Sequence, residues 1–183
     1  RMDFYTIPPQ DTYGQEWFQQ LALHEYRHII QISKLNQGLT NVLTYIFGEQ
    51  VTGAVLGLYV PFWFLEGDAV VAETELSNAG RGRSPSFAMP LRAQFLDEKI
   101  YPYDKAVFGS YKDFTPNHYI LGYHLVAKAR NAYGPKIWNH TLDKVGRRPY
   151  MIVPFSEGIR DVSEKNKTTL YRDMMAELKT DWQ

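Results

Sequence analysis

The chain has 183 residues, with 20 Lys and Arg against 20 Asp and Glu, a formal charge of zero and no cysteine. Its 44% hydrophobic and 22% charged residues suit a folded domain with a substantial core rather than a disordered chain. Charge balance, with cations scattered apart from pairs such as Arg81/Arg83 and Arg147/Arg148, speaks against a nucleic-acid partner; the lack of cysteine excludes disulfides, thiolate metal sites, iron–sulfur clusters and a cysteine nucleophile.

In chain order, Asp3–Ile7 reads as a short edge strand closed by Pro8-Pro9. From Gln15 to Leu35 the residues Trp17, Phe18, Leu21, Ala22, Ile29, Ile32 and Leu35 recur at helical spacing, behind Asp11, Thr12 and Gly14 as start signals. A second apolar helix is expected within Leu39–Leu58 and a third over Trp63–Glu75, halted by Ser77-Asn78-Ala79-Gly80. Gly80–Pro85 reads as a solvated loop. It holds glycines and arginines, but lacks the strand-turn-helix setting of a phosphate grip.

Further helices are expected at Ala88–Lys99, Asn117–Ala132, Pro135–Lys144 and Thr168–Lys179, with Lys99–Phe114 irregular. The longest apolar stretch, Val51–Ala72, approaches the ~20 residues of a spanning helix. Pro61, Glu66 and Asp68 interrupt it, so no stable membrane insertion is expected. There is no repeat or low-complexity tract. The expected fold is therefore mainly α with a short N-terminal edge strand, one domain over residues 1–183, cut from a longer multidomain protein.

The chemistry starts within the first helix, at His24-Glu25-Tyr26-Arg27-His28. Four residues is just over one helical turn, so both imidazoles leave the same face and can reach one metal ion. Neutral imidazoles suit zinc, and Glu25 is placed to take a proton from a water at the metal. A zinc site needs a third protein ligand, which here must be His, Asp or Glu. Glu66 is the best candidate. It lies in the apolar run Pro61-Phe62-Trp63-Phe64-Leu65-Glu66-Gly67-Asp68-Ala69, where an unpaired carboxylate is costly and a metal ion would offset the cost.

Together, His24–His28 and Trp63-Phe-Leu-Glu-Gly-Asp-Ala resemble the gluzincin metallopeptidases, in particular the aminopeptidase-N-like and peptidase-MA-like group. The resemblance implies a gluzincin-type helical domain with His24, His28 and Glu66 as zinc ligands and Glu25 as general base. It also implies that Glu73, seven residues after Glu66, stands beside the ligands. Tyr119-Ile-Leu-Gly122 matches a later Tyr-x-x-Gly of that group, whose phenol stabilises the tetrahedral intermediate. Tyr119 is the first choice for that role, with Tyr123 and His118 as alternatives.

The chain departs from the group in three places. His28 and Glu66 are 38 positions apart, about twice the aminopeptidase-N spacing, and nothing matches the segment that grips a substrate's free amino terminus. Where thermolysin-like relatives place an Asp to orient a ligand His, Val70 stands here, which leaves Asp68 and Glu73 as candidate partners of the imidazoles. The resemblance thus implies a Zn2+-dependent hydrolase of peptide or protein substrates, an endopeptidase rather than an aminopeptidase, in an extracytoplasmic setting alongside other domains of its chain. The alternatives are a catalytically silent interaction module of the same fold and a zinc hydrolase acting on another acyl centre.

Overall fold

The structure, a computed structural model, describes Gly14, residues 16–97 and residues 100–183. Among these residues it is helical throughout, in the order α1 (Trp17–Leu35), α2 (Gly38–Phe47), α3 (Gln50–Tyr59), α4 (Phe62–Glu75), a 3-10 turn (Arg81–Arg83), α5 (Pro85–Leu96), α6 (Tyr103–Phe108), α7 (His118–Tyr133), α8 (Lys136–Arg147), α9 (Pro154–Ser163) and α10 (Lys167–Trp182). No strand occurs among the described residues. The expected strand Asp3–Ile7 lies outside them.

Three expectations are corrected. The single helix over Leu39–Leu58 is two, because Gly48 at φ 91° breaks the ladder and Glu49 starts the next helix. Within Gly80–Pro85 the chain forms a 3-10 turn, and α5 begins at Pro85, whose fixed φ and missing N–H suit a first helical turn. Lys99–Phe114 includes the short helix α6, with buried Tyr103 accepting a hydrogen bond from the Trp63 indole at 2.8 Å.

Helix α4 is the centre of the molecule, with eleven of its fourteen residues buried. Trp63 and Phe64 pack against Trp138 of α8 and Phe155 of α9, with ring centroids 4.9–6.2 Å apart in this cluster. Such aromatics bury the largest areas of any side chains and dominate core energetics. α4 also buries three carboxylates, Glu66, Asp68 and Glu73, each of which needs compensating partners. The bent pair α3 and α4 is long and apolar enough together to resemble a broken membrane span, but it turns by 101° between the helices. No single helix among the described residues is long and apolar enough to cross a membrane.

The carboxylates of α4 decide how α1 sits. The buried face of α1 is polar, carrying Gln20, His24 and Gln31 with Leu35, while Phe18, Tyr26, Ile29, Ile30 and Ile32 are exposed. The helix is where the apolar spacing put it, but turned over, because α4 offers acids to pair with rather than only a greasy wall. α2 is also bare on its outer side: Thr40 is its one buried residue, and Val42, Tyr45, Ile46 and Phe47 are all exposed.

α4 and α7 cross backbone on backbone. A Cβ on Gly67 would stand 2.1 Å from the carbonyl carbon of Gly122, and one on Gly122 would stand 1.8 Å from the Trp63 carbonyl oxygen. Only glycine fits at both positions. α7 enters this crossing from a capped start, where the Asn117 side chain accepts from the backbone N–H of Ile120 at 3.1 Å.

Candidate metal centre

Helix α1 brings His24 and His28 to one face, and α4, packed across it, brings up Glu66. The three converge. His24 Nε2 lies 3.1 Å from Glu66 Oε2 and 3.3 Å from His28 Nε2, and His28 Nε2 lies 3.6 Å from Glu66 Oε2. Zinc bonds of about 2.0–2.1 Å in a tetrahedron put ligand atoms about 3.3–3.4 Å apart. The triangle therefore matches one face of such a site, and its donor set of two imidazoles and a carboxylate is one that zinc accepts. His24 and Glu66 are buried and His28 is half-buried.

Each imidazole is held from behind. His28 Nδ1 donates to Gln31 Oε1 at 2.8 Å, and Gln31 Nε2 donates onward to Asp68 at 2.8 Å and to the Leu65 carbonyl at 3.1 Å. Asp68 is completed by Arg27, whose Nε and Nη2 reach its two oxygens at 2.7 and 3.1 Å. His24 Nδ1 faces Glu73 Oε2 at 3.2 Å. The Gln31 acceptor puts the His28 proton on Nδ1 and turns its Nε2 toward the metal position, whereas His24 Nδ1 meets both the Glu73 acceptor and, at 2.8 Å, the Arg81 Nη2 donor. Asp68 and Glu73, both candidates from sequence, do serve the imidazoles, Glu73 directly and Asp68 through Gln31. Val70 is fully buried.

Glu73 is wholly buried and heavily compensated. Its Oε1 accepts from Gln20 Nε2 at 3.2 Å, from the backbone N–H of Arg81 at 3.2 Å and from Arg81 Nε at 2.7 Å; its Oε2 accepts from Arg81 Nη2 at 2.8 Å. Burial pushes its pKa up, but Arg81 and His24 outweigh that and hold the carboxyl below its ordinary value. Glu66 behaves alike: burial works against its charge, yet hydrogen bonds from His24 and His28 hold it far below the usual carboxylate range. Burial in turn works to lower the two imidazoles, and the carboxylates Glu66 and Glu73 at His24, and Glu66 with Gln31 at His28, raise them past their ordinary value. Glu66 and the two imidazoles thus stabilise opposite charges on one another.

Glu25, the residue after the first ligand, is half-buried, and its charge is felt at both His28 and Tyr119. Tyr119 comes from the first turn of α7, and its ring centroid is 6.1 Å from that of His24. Burial raises its pKa, and the Glu66 charge and a hydrogen bond to Glu66 add to that, so the phenol keeps its proton at neutral pH. Tyr123, one turn further on, packs on Phe87 at 5.8 Å and against Gly82, away from the ligand triangle. His118 packs between Phe62 and Tyr119, at 4.4 and 4.5 Å, with its Nε2 buried and unpartnered.

Sequence reasoning missed Gln20, Gln31 and Arg81. The first two carried a signal, since Gln20, His24, His28 and Gln31 form a polar stripe at spacings of four, four and three. Arg81 carried none within its loop; only the fold brings it to Glu73. Its placement corrects the reading of Gly80–Pro85 as a solvated loop, because this side chain is pulled inward by a buried acid. Comparison of the chain with known protein families, curated proteins and solved structures gives no match in any of the three.

Proposed function

We propose that the protein is a zinc-dependent metallopeptidase of gluzincin type, with His24, His28 and Glu66 holding the metal, Glu25 as the base and Tyr119 as the oxyanion partner. The observation that carries this reading is the ligand triangle with edges of 3.1, 3.3 and 3.6 Å, formed by residues 42 positions apart in sequence. Glu25 beside it supports turnover rather than a purely structural ion, since a structural site closes with four protein ligands and has no use for a base.

When bound there, zinc supplies a Lewis acid that makes a neighbouring water a nucleophile near neutral pH and polarises the substrate carbonyl. Glu25 takes the proton of the attacking water and passes it to the leaving amine. The Tyr119 hydroxyl, protonated at neutral pH, donates to the developing oxyanion without adding a formal charge. Gln31 holds the His28 imidazole in the tautomer that binds metal, and Glu73 orients the His24 ring from Nδ1. The inserted α2 and α3 account for the wide spacing between His28 and Glu66, and they leave the ligand helices packed on one another.

A second reading, an interaction module without turnover, draws on the bare apolar faces of α1 and α2. Metal analysis and a mixed peptide library, applied to the native protein and to Glu25→Gln, separate the two. One zinc per chain in both, with cleavage by the native form alone, is the expected result. Stoichiometric zinc with no cleavage by either would favour the module.

A further inference from the structure

We propose that Arg81 is a positioning residue of the metal site, which locks the outer partner of His24 and the phenol of Tyr119 with one guanidinium. The proposal rests on the zinc-peptidase reading and goes beyond it, because no feature of the ligand motifs points to residue 81.

The Arg81 fork meets both oxygens of Glu73, Nε on Oε1 at 2.7 Å and Nη2 on Oε2 at 2.8 Å. A bidentate pair of this kind fixes the plane of a carboxylate as well as its charge. Glu73 so held presents Oε2 to His24 Nδ1 at 3.2 Å. Nη2 also lies 2.8 Å from Nδ1; since a guanidinium N–H can only donate, Arg81 offers Nδ1 a donor beside the Glu73 acceptor and so contacts the ligand imidazole itself. On its other side the guanidinium lies over the Tyr119 ring, 5.1 Å from the centroid, within the range of a cation–π contact. One side chain therefore touches the support of a ligand and the ring of the oxyanion donor.

The backbone around Arg81 is built to hold it there. The turn is pinned to the end of α4: Gly82 N–H donates to Thr74 Oγ1 at 3.1 Å, and Arg83 Nη2 donates to the Thr74 carbonyl at 3.0 Å. A Cβ on Gly80 would stand 2.4 Å from Thr74 Cα, and one on Gly82 would stand 2.3 Å from the Tyr123 ring. Glycine on both sides lets the turn press between α4 and α7, and Arg81 projects from it onto the buried Glu73.

The test compares the native protein with Arg81→Met, Arg81→Lys and, as a control at an exposed cation outside the site, Arg148→Met. Zinc affinity is measured by competition with a chromophoric chelator, folding by the melting of the metal-free form, and kcat and KM on a peptide the native form cleaves. For Arg81→Met the zinc Kd is expected to rise about 10- to 100-fold, and kcat to fall while KM stays within about twofold. Arg81→Lys is expected to recover part of the affinity, since an ammonium reaches one oxygen but cannot grip the carboxylate's plane. Arg148→Met should match the native protein in both.

A folded Arg81→Met with native zinc affinity and native kcat would overturn the proposal, and so would an equal loss in Arg148→Met. If Arg81→Met does not fold, Arg81→Lys decides, with a several-fold weaker Kd expected and an unchanged one contradicting. A native protein that binds zinc but cleaves nothing would remove the peptidase reading, and the affinities alone would then judge Arg81. A native protein that binds no zinc would remove both.

Discussion

Gly67 of α4 lies directly against Gly122 of α7, so close that neither position has room for a methyl group. The contact has a functional consequence. Glu66 precedes Gly67, and Tyr119 is three residues before Gly122, so this crossing sets the distance between the Glu66 carboxylate and the Tyr119 phenol that hydrogen-bonds to it.

Substitution at the crossing should therefore damage both fold and site. Gly122→Ala places a Cβ 1.8 Å from a backbone carbonyl that cannot swing aside, and is expected to cost about 3 kcal/mol and to weaken zinc binding. Gly53→Ala is the contrast, because a Cβ there meets nothing within 4 Å. It should stabilise the protein by about 0.5–1 kcal/mol through the usual helix preference for alanine. Chemical denaturation of the two variants checks both signs.

The two candidate phenols separate cleanly by geometry. Tyr119→Phe should lower kcat about 100- to 1,000-fold with zinc content unchanged, since Tyr119 touches Glu66 but is not in the ligand triangle. Tyr123→Phe should leave kcat near native, because its ring serves the packing around Gly82 and Phe87. Steady-state kinetics on one cleaved peptide decides between them.

His124 is a built-in acid weakness away from the site. Burial, helped by the Lys128 charge, lowers its pKa to about 4, and its Nε2 is buried without a partner. Above pH 6.5 the ring is neutral both folded and unfolded and contributes nothing. Below that the unfolded chain takes up a proton that the folded chain refuses, so stability falls as pH falls, down to about pH 4. The share owed to His124 is about 3 kcal/mol. In His124→Leu the loss of stability between pH 7 and pH 4 should shrink by that order, as read from urea unfolding at each pH.

The outer side of α2 should be dispensable for folding. Tyr45 is 92% exposed and Phe47 67% exposed, so Tyr45→Glu with Phe47→Lys should change unfolding free energy by less than about 1 kcal/mol and raise solubility. A large loss of stability would show that these side chains are covered in the folded protein.

Most of the helices, and the meeting of His24, His28 and Glu66, were legible because each depends on local spacing: four residues between imidazoles, and an acid in an apolar run that no folded chain leaves unpaired; the short helices α6 and α9 had no place in the sequence reading. The orientation of α1 was not legible. Its apolar residues follow a helical period, and periodicity assigns that face to the core unless something outside the segment competes for the other one; here Glu66, Asp68 and Glu73 do so from 38 or more residues beyond His28. α2 and α3 fused in the sequence reading because apolar residues continue on both sides of Gly48-Glu49-Gln50, and spacing alone does not show that Gly48 takes a positive φ. Arg81 was out of reach for the same reason as α1: a charged residue between glycines reads as solvated until the fold shows a buried carboxylate behind it.

The most direct test of the central claim is X-ray absorption at the zinc edge of the zinc-loaded native protein and of Glu66→Gln. The expected result is one zinc per chain, with two imidazole nitrogens and oxygen ligands at about 2.0–2.1 Å, and loss or weakening of the site when Glu66 is replaced. A zinc that binds with an environment indifferent to Glu66, or a protein that binds no zinc, would contradict the claim.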